Sequence, residues 1–535
     1  MILLIRNGTI VDGSGDPPFR GDVLAEDGFI REIRPSQSPA GQELPRERAE
    51  ETIDAGGRIV CPGFVDLHRH CDTAALGEDF GLIELSQGIT SCFAGNCGMS
   101  PVPNAPSYRE ALEGYLAPCL GSFEHETFTT HREYLERLRG AALPLNMGFY
   151  AGMGAIRIAA KGFSPTPFTR KEMDAARGLL GDALDNGASG LSIGLMYVPE
   201  LYSSADEIAA LAQVMKGRKG ILCTHMRWET SRLVEAVREV ISIAQKAEVP
   251  LEISHFKAAG TDAWHGVLHR AIEAIEAERA RGMDVTVDFY PYDCGSSTMM
   301  QMLPPGYLAV GVEKAIAGLN KSENVEKMRK LLAGGEKNWD NLSQTIGWDR
   351  TIISSVNREE NRKFLGKSVT ACVREYGYRD EAEMVARLMY SEQGKVAIIN
   401  QSMSTEDIDT IARLSYSSLI SDALYGDMRN PHPRLYGAFP RFLRDFVRER
   451  KVLDLPAAVH KMTAQPAKRV GLNDRGLLRP GCRADMLIFD PENFKDHADY
   501  LAPARLATGL DYAIIGGKTA YREGKLLCRN RGTVI

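Results

Sequence analysis

His68 and His70 stand two residues apart, after the run Pro62-Gly63-Phe64-Val65-Asp66. On a strand, residues i and i+2 face the same side, so both imidazoles can converge on one ion. Such a pair alone is as readily a polar strand end. Cys97 lies in Gly95-Asn96-Cys97-Gly98, where glycines permit a tight turn that brings a thiolate up to a cation. Read alone, it is more simply a buried structural cysteine. His225 ends the apolar run 220–224, and His255 ends the run 251–254. The chain has only eleven histidines, so two successive strands ending in histidine, beside the His68/His70 pair, outweigh the bland explanation of each. Nitrogen and thiolate donors of this kind suit Zn²⁺ best, with other divalent ions possible. No lysine in 189–194 offers a carbamylated bridge, which leaves Cys97 in the charged-ligand role. Asp422 follows the apolar run 414–421. A carboxylate there can cap a helix; beside a metal it can take the proton of an activated water and hand it to a leaving amine.

These side chains need a scaffold that gathers strand ends. Eight candidate strands alternate with helical patterns: 60–67, 89–94, 145–150, 189–194, 220–224, 251–254, 284–290 and 414–421. That alternation predicts a parallel α/β architecture, and eight units fit a (β/α)₈ TIM-type barrel with its site at the C-terminal strand ends. Thr169-Arg170-Lys171-Glu172 is a capping box, followed by Met173, Ala176, Leu179, Leu180 and Leu184 at helical spacing; Gly187 ends that helix. The seventh and eighth strands lie over a hundred residues apart, whereas a β/α unit needs on the order of 30. A large insertion, 295–410, therefore follows strand seven and contains the strand-like run 396–400. It is either a mobile lid over the barrel mouth or a plain surface subdomain.

Both chain ends have a different texture. Short strands at 3–6, 9–11, 22–25, 29–33 and 58–60, with others at 484–490, 511–516, 519–522 and 525–528, are separated by Gly, Asp and Pro. Neither end suffices for a sheet pair; together they make a small β-sandwich. The expected division is a sandwich from 1–60 and 466–535, a barrel from 61–465, and the 295–410 insertion within the barrel.

The 535 residues exceed one compact core, and the 44% hydrophobic and 25% charged fractions are those of a globular protein. A net charge of −6 with no basic run gives no nucleic-acid surface. Ten cysteines without a CxxC pair argue against a disulfide scaffold. No apolar run approaches the ~20 residues of a membrane helix, so a cytoplasmic enzyme is expected, of unspecified oligomeric state.

The stretches PGFVDLHRHCD at 62–72, GNCG at 95–98, GASGLSIGLMYVP at 187–199, THMR at 224–227, ISHFKAAG at 253–260, DFYPYDCGSST at 288–298 and SDALYGDMRNPHPRLYGAFPR at 421–441 go further. With the tail at 462–491, they resemble the D-aminoacylase (N-acyl-D-amino-acid deacylase) family of the amidohydrolase superfamily. The resemblance implies a tight Zn²⁺ held by Cys97, His225 and His255, and a second, weaker position at His68, His70 and Asp422. It also implies substrate contacts from Lys257, Tyr290, Ser296 and Arg434, with Tyr197 near the acyl or side-chain pocket. The planar fork of Arg434 suits an α-carboxylate, although a structural ion pair is its plainer use. Tyr290 would donate to the developing oxyanion. Two departures from the family pattern are noted: an insertion longer than usual, and Gly426-Asp427-Met428-Arg429 before HPRL. The expected activity is hydrolysis of small N-acyl-D-amino acids. Alternatives are cleavage of L-Xaa-D-Xaa dipeptides, a cyclic-amide (hydantoinase-like) hydrolase, or a non-catalytic scaffold, which would lack one or more ligands.

Overall fold

The computed structural model describes residues 1–36, 49–123, 125–336, 338–426 and 430–535. Barrel strands Phe64–Asp66, Ile89–Ala94 and Asn146–Phe149 pair in parallel. Ala151–Gly152, Gly190–Gly194, Ile221–His225, Leu251–Ile253, Val285–Phe289 and Ser417–Leu419 form a second parallel run in that order. The two runs share the third barrel strand, interrupted at Tyr150, whose N–H donates to the Ala94 carbonyl at 2.9 Å. The cylinder closes where Arg69 bridges Ala423 in parallel. There the Asp422 N–H donates to the His68 carbonyl, and the His70 N–H to that of Ala423, both at 2.9 Å. Strands such as Ile89–Ala94 and Ile221–His225 are buried throughout, as expected when helices cover the outer face and side chains fill the inner one.

The flanking helices are set by local signals. Thr169 Oγ1 accepts from the Glu172 N–H at 3.3 Å, and a Glu172 carboxylate oxygen accepts from the Thr169 N–H at 2.6 Å. The resulting helix, Arg170–Asp185, is followed by Gly187 at φ +103°.

The first barrel strand departs from the single run expected over 60–67. Ile59–Pro62 pairs antiparallel with Met486–Phe489, whereas Phe64–Asp66 pairs with the second barrel strand. Gly63 is the joint: its N–H donates to the Asp485 carbonyl at 2.8 Å, and a Cβ there would lie 2.0 Å from Thr90 Oγ1. One apolar run thus serves two sheets because the residue between them has no side chain.

The chain ends build one nine-stranded sheet. Ile2–Ile10 is a single strand rather than two, with a register shift between Ile5 and Gly8 and Asn7 at φ +57°. Along one edge it pairs first with Glu51–Asp54, a strand not foreseen, and then with Ile59–Val60. The sheet rolls over itself: Phe29 bridges Arg483, and Leu3, Val23, Ile53, Met486 and Ile514 share one core cluster.

The insertion carries its own core. Cys294–Thr298, Thr351–Ser355 and Ala397–Gln401 form an antiparallel sheet with the last in the middle. Met302, Ile353, Val385 and Ile398 cluster behind it with Met196, Leu201 and Ala259 of the barrel loops. Docking is also polar: Asp340 accepts from the Glu229 N–H at 2.9 Å and from Thr230 Oγ1 at 2.6 Å. Trp264 Nε1 donates to the Ser402 carbonyl at 2.9 Å. The insertion therefore roofs the barrel mouth. Among the described residues, no helix is long and apolar enough to cross a membrane.

Gly190 opens the fourth barrel strand at φ +150°, and a Cβ there would meet the Ile221 carbonyl oxygen at 1.9 Å. Gly190→Ala is expected to lower the thermal midpoint by several degrees. Gly181→Ala, in the Arg170–Asp185 helix with open space at Cβ, should hold or raise it by removing a helical glycine that costs about 0.5–1 kcal/mol. Equal midpoints in differential scanning calorimetry would contradict the close approach of strands four and five.

Candidate metal centre

Alternation along the first strand sends His68 and His70 to one face and Arg69 to the other. Arg69 is fully buried there, donating to Tyr425, Ser421, Glu84 and the Leu435 carbonyl. Asp66 accepts from the N–H groups of both His68 and Ser421, at 3.3 and 3.0 Å. The GNCG turn depends on its glycines. Gly95 (φ +78°) and Gly98 (φ +72°) would place a Cβ 2.2 Å from the Tyr150 carbonyl oxygen and 1.9 Å from Glu200 Oε2. Cys97 itself sits at φ +54°, His255 at φ +36° and Asp422 at φ +51°. Three of the six singled-out side chains thus leave backbone in the left-handed region, which costs non-glycine residues on the order of 1–3 kcal/mol each.

The six converge. Cys97 Sγ lies 3.2 Å from His68 Nε2, 3.5 Å from His255 Nε2 and 3.9 Å from His225 Nδ1. Asp422 Oδ1 lies 3.4 Å from His68 Nε2 and 3.5 Å from His70 Nε2. All six are buried. His68, Cys97 and His255 form one group of donor atoms within 4.8 Å of one another; His68, His70 and Asp422 form another, and His225, Glu229 and His255 a third.

Burial pushes His68 down to about 4 and also lowers His70, His225 and His255, so the imidazoles are neutral at pH 7 with lone pairs available. Burial raises the Cys97 thiol, and the neighbouring Asp422 charge adds to that. Burial also opposes ionisation of Asp422, but Arg434, then His68 and the His70 hydrogen bond outweigh it and hold the carboxyl well below its ordinary value. A divalent cation fits this donor set: nitrogen, thiolate and carboxylate are zinc's ligands, and a cation would favour the thiolate.

The five residues expected at the substrate line the same cavity, about 50 Å³, together with His70, Cys97, His225, His255 and Asp422. Arg434 Nη1 pairs with Asp422 Oδ2 at 2.9 Å, and its Nη2 donates to the backbone carbonyl of Ser296 at 3.3 Å. Its guanidinium lies over the Tyr290 ring, 4.9 Å from the centroid, and Arg434 Nε has no hydrogen-bond partner among the described residues. Lys257 Nζ donates to Glu229 at 2.6 Å and lies 3.0 Å from His255 Nδ1. Tyr197 OH lies 3.4 Å from His225 Nδ1. Residues 427–429, within the departure noted before HPRL, lie outside the described residues.

Two carboxylates at the site were not singled out from the sequence. Glu229 holds Lys257 and lies 3.1 Å from His255 Nδ1; it sits on a loop, where no periodicity points to it. Asp288 accepts from the His255 N–H and lies 3.9 Å from His68 Nδ1. Its available signal was a carboxylate inside the buried strand Val285–Phe289.

Residues 51–288 and 385–521 match the family model described as "Amidohydrolase family". A D-aminoacylase of Alcaligenes xylosoxydans xylosoxydans is 30% identical over 538 residues, covering 100% of this chain and 97% of that protein. An N-acyl-D-glutamate deacylase of the same organism is 30% identical over 536 residues, covering 99% and 96%. Among solved structures, the N-acyl-D-glutamate deacylase of Bordetella bronchiseptica, complexed with zinc and a phosphonate mimic of the tetrahedral intermediate, superposes with a TM-score of 0.81 at 28% identity. It covers 99% of this chain and 98% of that one. The chain belongs to the D-aminoacylase family within the amidohydrolases.

Proposed function

We propose that this protein hydrolyses the amide bond of N-acyl-D-amino acids, releasing a carboxylate and a free D-amino acid, with zinc bound at the barrel rim. The observation that carries this is the meeting of Cys97, His68, His70, His225, His255 and Asp422 at a cavity lined by Arg434, Lys257, Tyr290 and Ser296. The activities named for full-length relatives agree, and so does the zinc of the neighbouring structure. Residues 61–465 then form the catalytic barrel with its 295–410 cap, and 1–60 with 466–535 the supporting sandwich.

Cys97, His225 and His255 would hold the tight ion, and His68, His70 and Asp422 a weaker one. Bound zinc supplies an electrophile for the amide carbonyl and lowers the pKa of a water at the site. Asp422, ionised at neutral pH, takes the proton of the attacking water through its carboxylate oxygen and delivers it to the departing nitrogen. Tyr290 is pushed up to about 12 by burial, so it keeps its hydroxyl proton to donate to the developing oxyanion; one such donor is worth about 2.7–4 kcal/mol in other hydrolases. Arg434, Lys257 and Ser296 fix the α-carboxylate, and with carboxylate, amide and side chain all placed, mirror-image substrates no longer fit alike.

Replacing Asp422 by Asn should leave the tight zinc in place in elemental analysis while lowering kcat about 10²–10⁴-fold; near-normal kcat would remove Asp422 from the proton path. Chelation should abolish turnover and added Zn²⁺ restore it. A substrate panel of N-acetyl-D- and L-amino acids and L-Xaa-D-Xaa dipeptides decides the class: preference for L-substrates or dipeptides replaces this reading. Glu229 keeps the buried Lys257 ammonium paired. Glu229→Gln should therefore destabilise the fold by about 3–5 kcal/mol, and adding Lys257→Met should recover much of that in thermal unfolding.

A further inference from the structure

Beside the metal cavity lies a second, more apolar one of about 120 Å³. The two meet at Met99, Cys119, Tyr197 and Gln301, which line both. From that neck the second cavity runs between the barrel and the insertion, walled by Phe163, Met196, Met300, Leu303, Leu308 and Trp339. It ends at Gly114, Glu313 and Lys395, which are exposed. Neither the metal donors nor the carboxylate-holding residues explain an apolar passage of this kind.

Its position relative to those residues decides what it holds. Met99 follows the second barrel strand, and Met196 and Tyr197 follow the fourth. Lys257, Tyr290 and Arg434 follow the sixth, seventh and eighth. In a closed eight-stranded barrel, strand three stands across the axis from strand seven, so the passage and the carboxylate-holding residues flank the metal donors from opposite sides. An N-acyl amino acid has its atoms in a fixed order: carboxylate, Cα, nitrogen, carbonyl carbon, acyl chain. With the carboxylate at Arg434 and Lys257 and the carbonyl at the metal donors, the acyl chain continues away from the carboxylate. The side chain, in contrast, branches at Cα, next to it.

We infer that the second cavity is an acyl channel and that the substrates are N-acyl-D-amino acids with a medium- or long-chain apolar acyl group. This rests on the deacylase reading above. An acetyl group would stop at the neck, whereas each methylene beyond it leaves water for the apolar wall, an effect of about fourfold per fully buried methylene in an equilibrium constant.

The test uses the full-length, zinc-loaded enzyme and one D-amino acid carrying acetyl, butyryl, hexanoyl or octanoyl groups. An N-acetyl-D-2-aminodecanoate, with its apolar chain on Cα, is assayed beside them. The expected result is a rise in kcat/KM of at least about tenfold from acetyl to octanoyl. Gly114 lies within the Arg109–Leu120 helix with nothing near its Cβ position, so Gly114→Trp should fold and narrow the exit, lowering the octanoyl-to-acetyl ratio of kcat/KM. Acetyl turnover with a flat or falling length profile overturns the channel. So does a gain that follows the Cα chain instead, or a ratio that Gly114→Trp leaves unmoved. No turnover of any member by enzyme with bound zinc overturns the deacylase reading itself, and the channel with it.

Discussion

Closing the barrel between strands one and eight is the constraint on which the rest depends. The backbone groups of His68, His70 and Asp422 make that seam, and their side chains supply half of the singled-out donor set. Asp66 ties the same seam from beneath by holding Ser421, and Arg69 anchors its reverse face. The site is therefore fastened to a joint that fails only if the cylinder opens, which is how a rigid scaffold holds reactive groups close to their working geometry.

That closeness has costs visible in the backbone and in the charges. Left-handed φ values at Cys97, His255 and Asp422 aim those side chains inward where an extended strand end would carry them past one another. Strain of this sort persists where surrounding structure over-determines it, here through Gly95 and Gly98 packed against Tyr150 and Glu200 and through Asp288 holding the His255 amide. Burial removes charge from the imidazoles and the thiol, while Arg434 keeps Asp422 ionised. The result is a set of neutral nitrogen and sulfur donors with the ionised Asp422 carboxylate beside them, an arrangement that a divalent cation stabilises.

The insertion completes the enclosure. Its apolar core incorporates Met196, Leu201 and Ala259 of the barrel, and Asp340 grips the loop carrying Glu229. Glu229 in turn holds Lys257, so an insertion residue is linked through two contacts to a group at the metal cavity. The same junction creates the apolar passage beside it, since neither barrel nor insertion alone has both walls.

Much was legible in the chain itself. Period-two alternation put His68 and His70 on one face, apolar runs located seven of the eight barrel strands closely, and the Thr169 capping box marked its helix, because these are local consequences of backbone geometry. Gly63 escaped that logic: whether an apolar run is one strand or two depends on which sheets wait on either side. Glu51–Asp54 escaped for a similar reason, its pairing with Leu3–Arg6 being non-local. Glu229 and Asp288, the Arg434–Asp422 pair and the passage between barrel and insertion were decided by tertiary structure alone. Loops follow no period, and a cavity belongs to the space between elements, so neither is written in the order of residues along the chain.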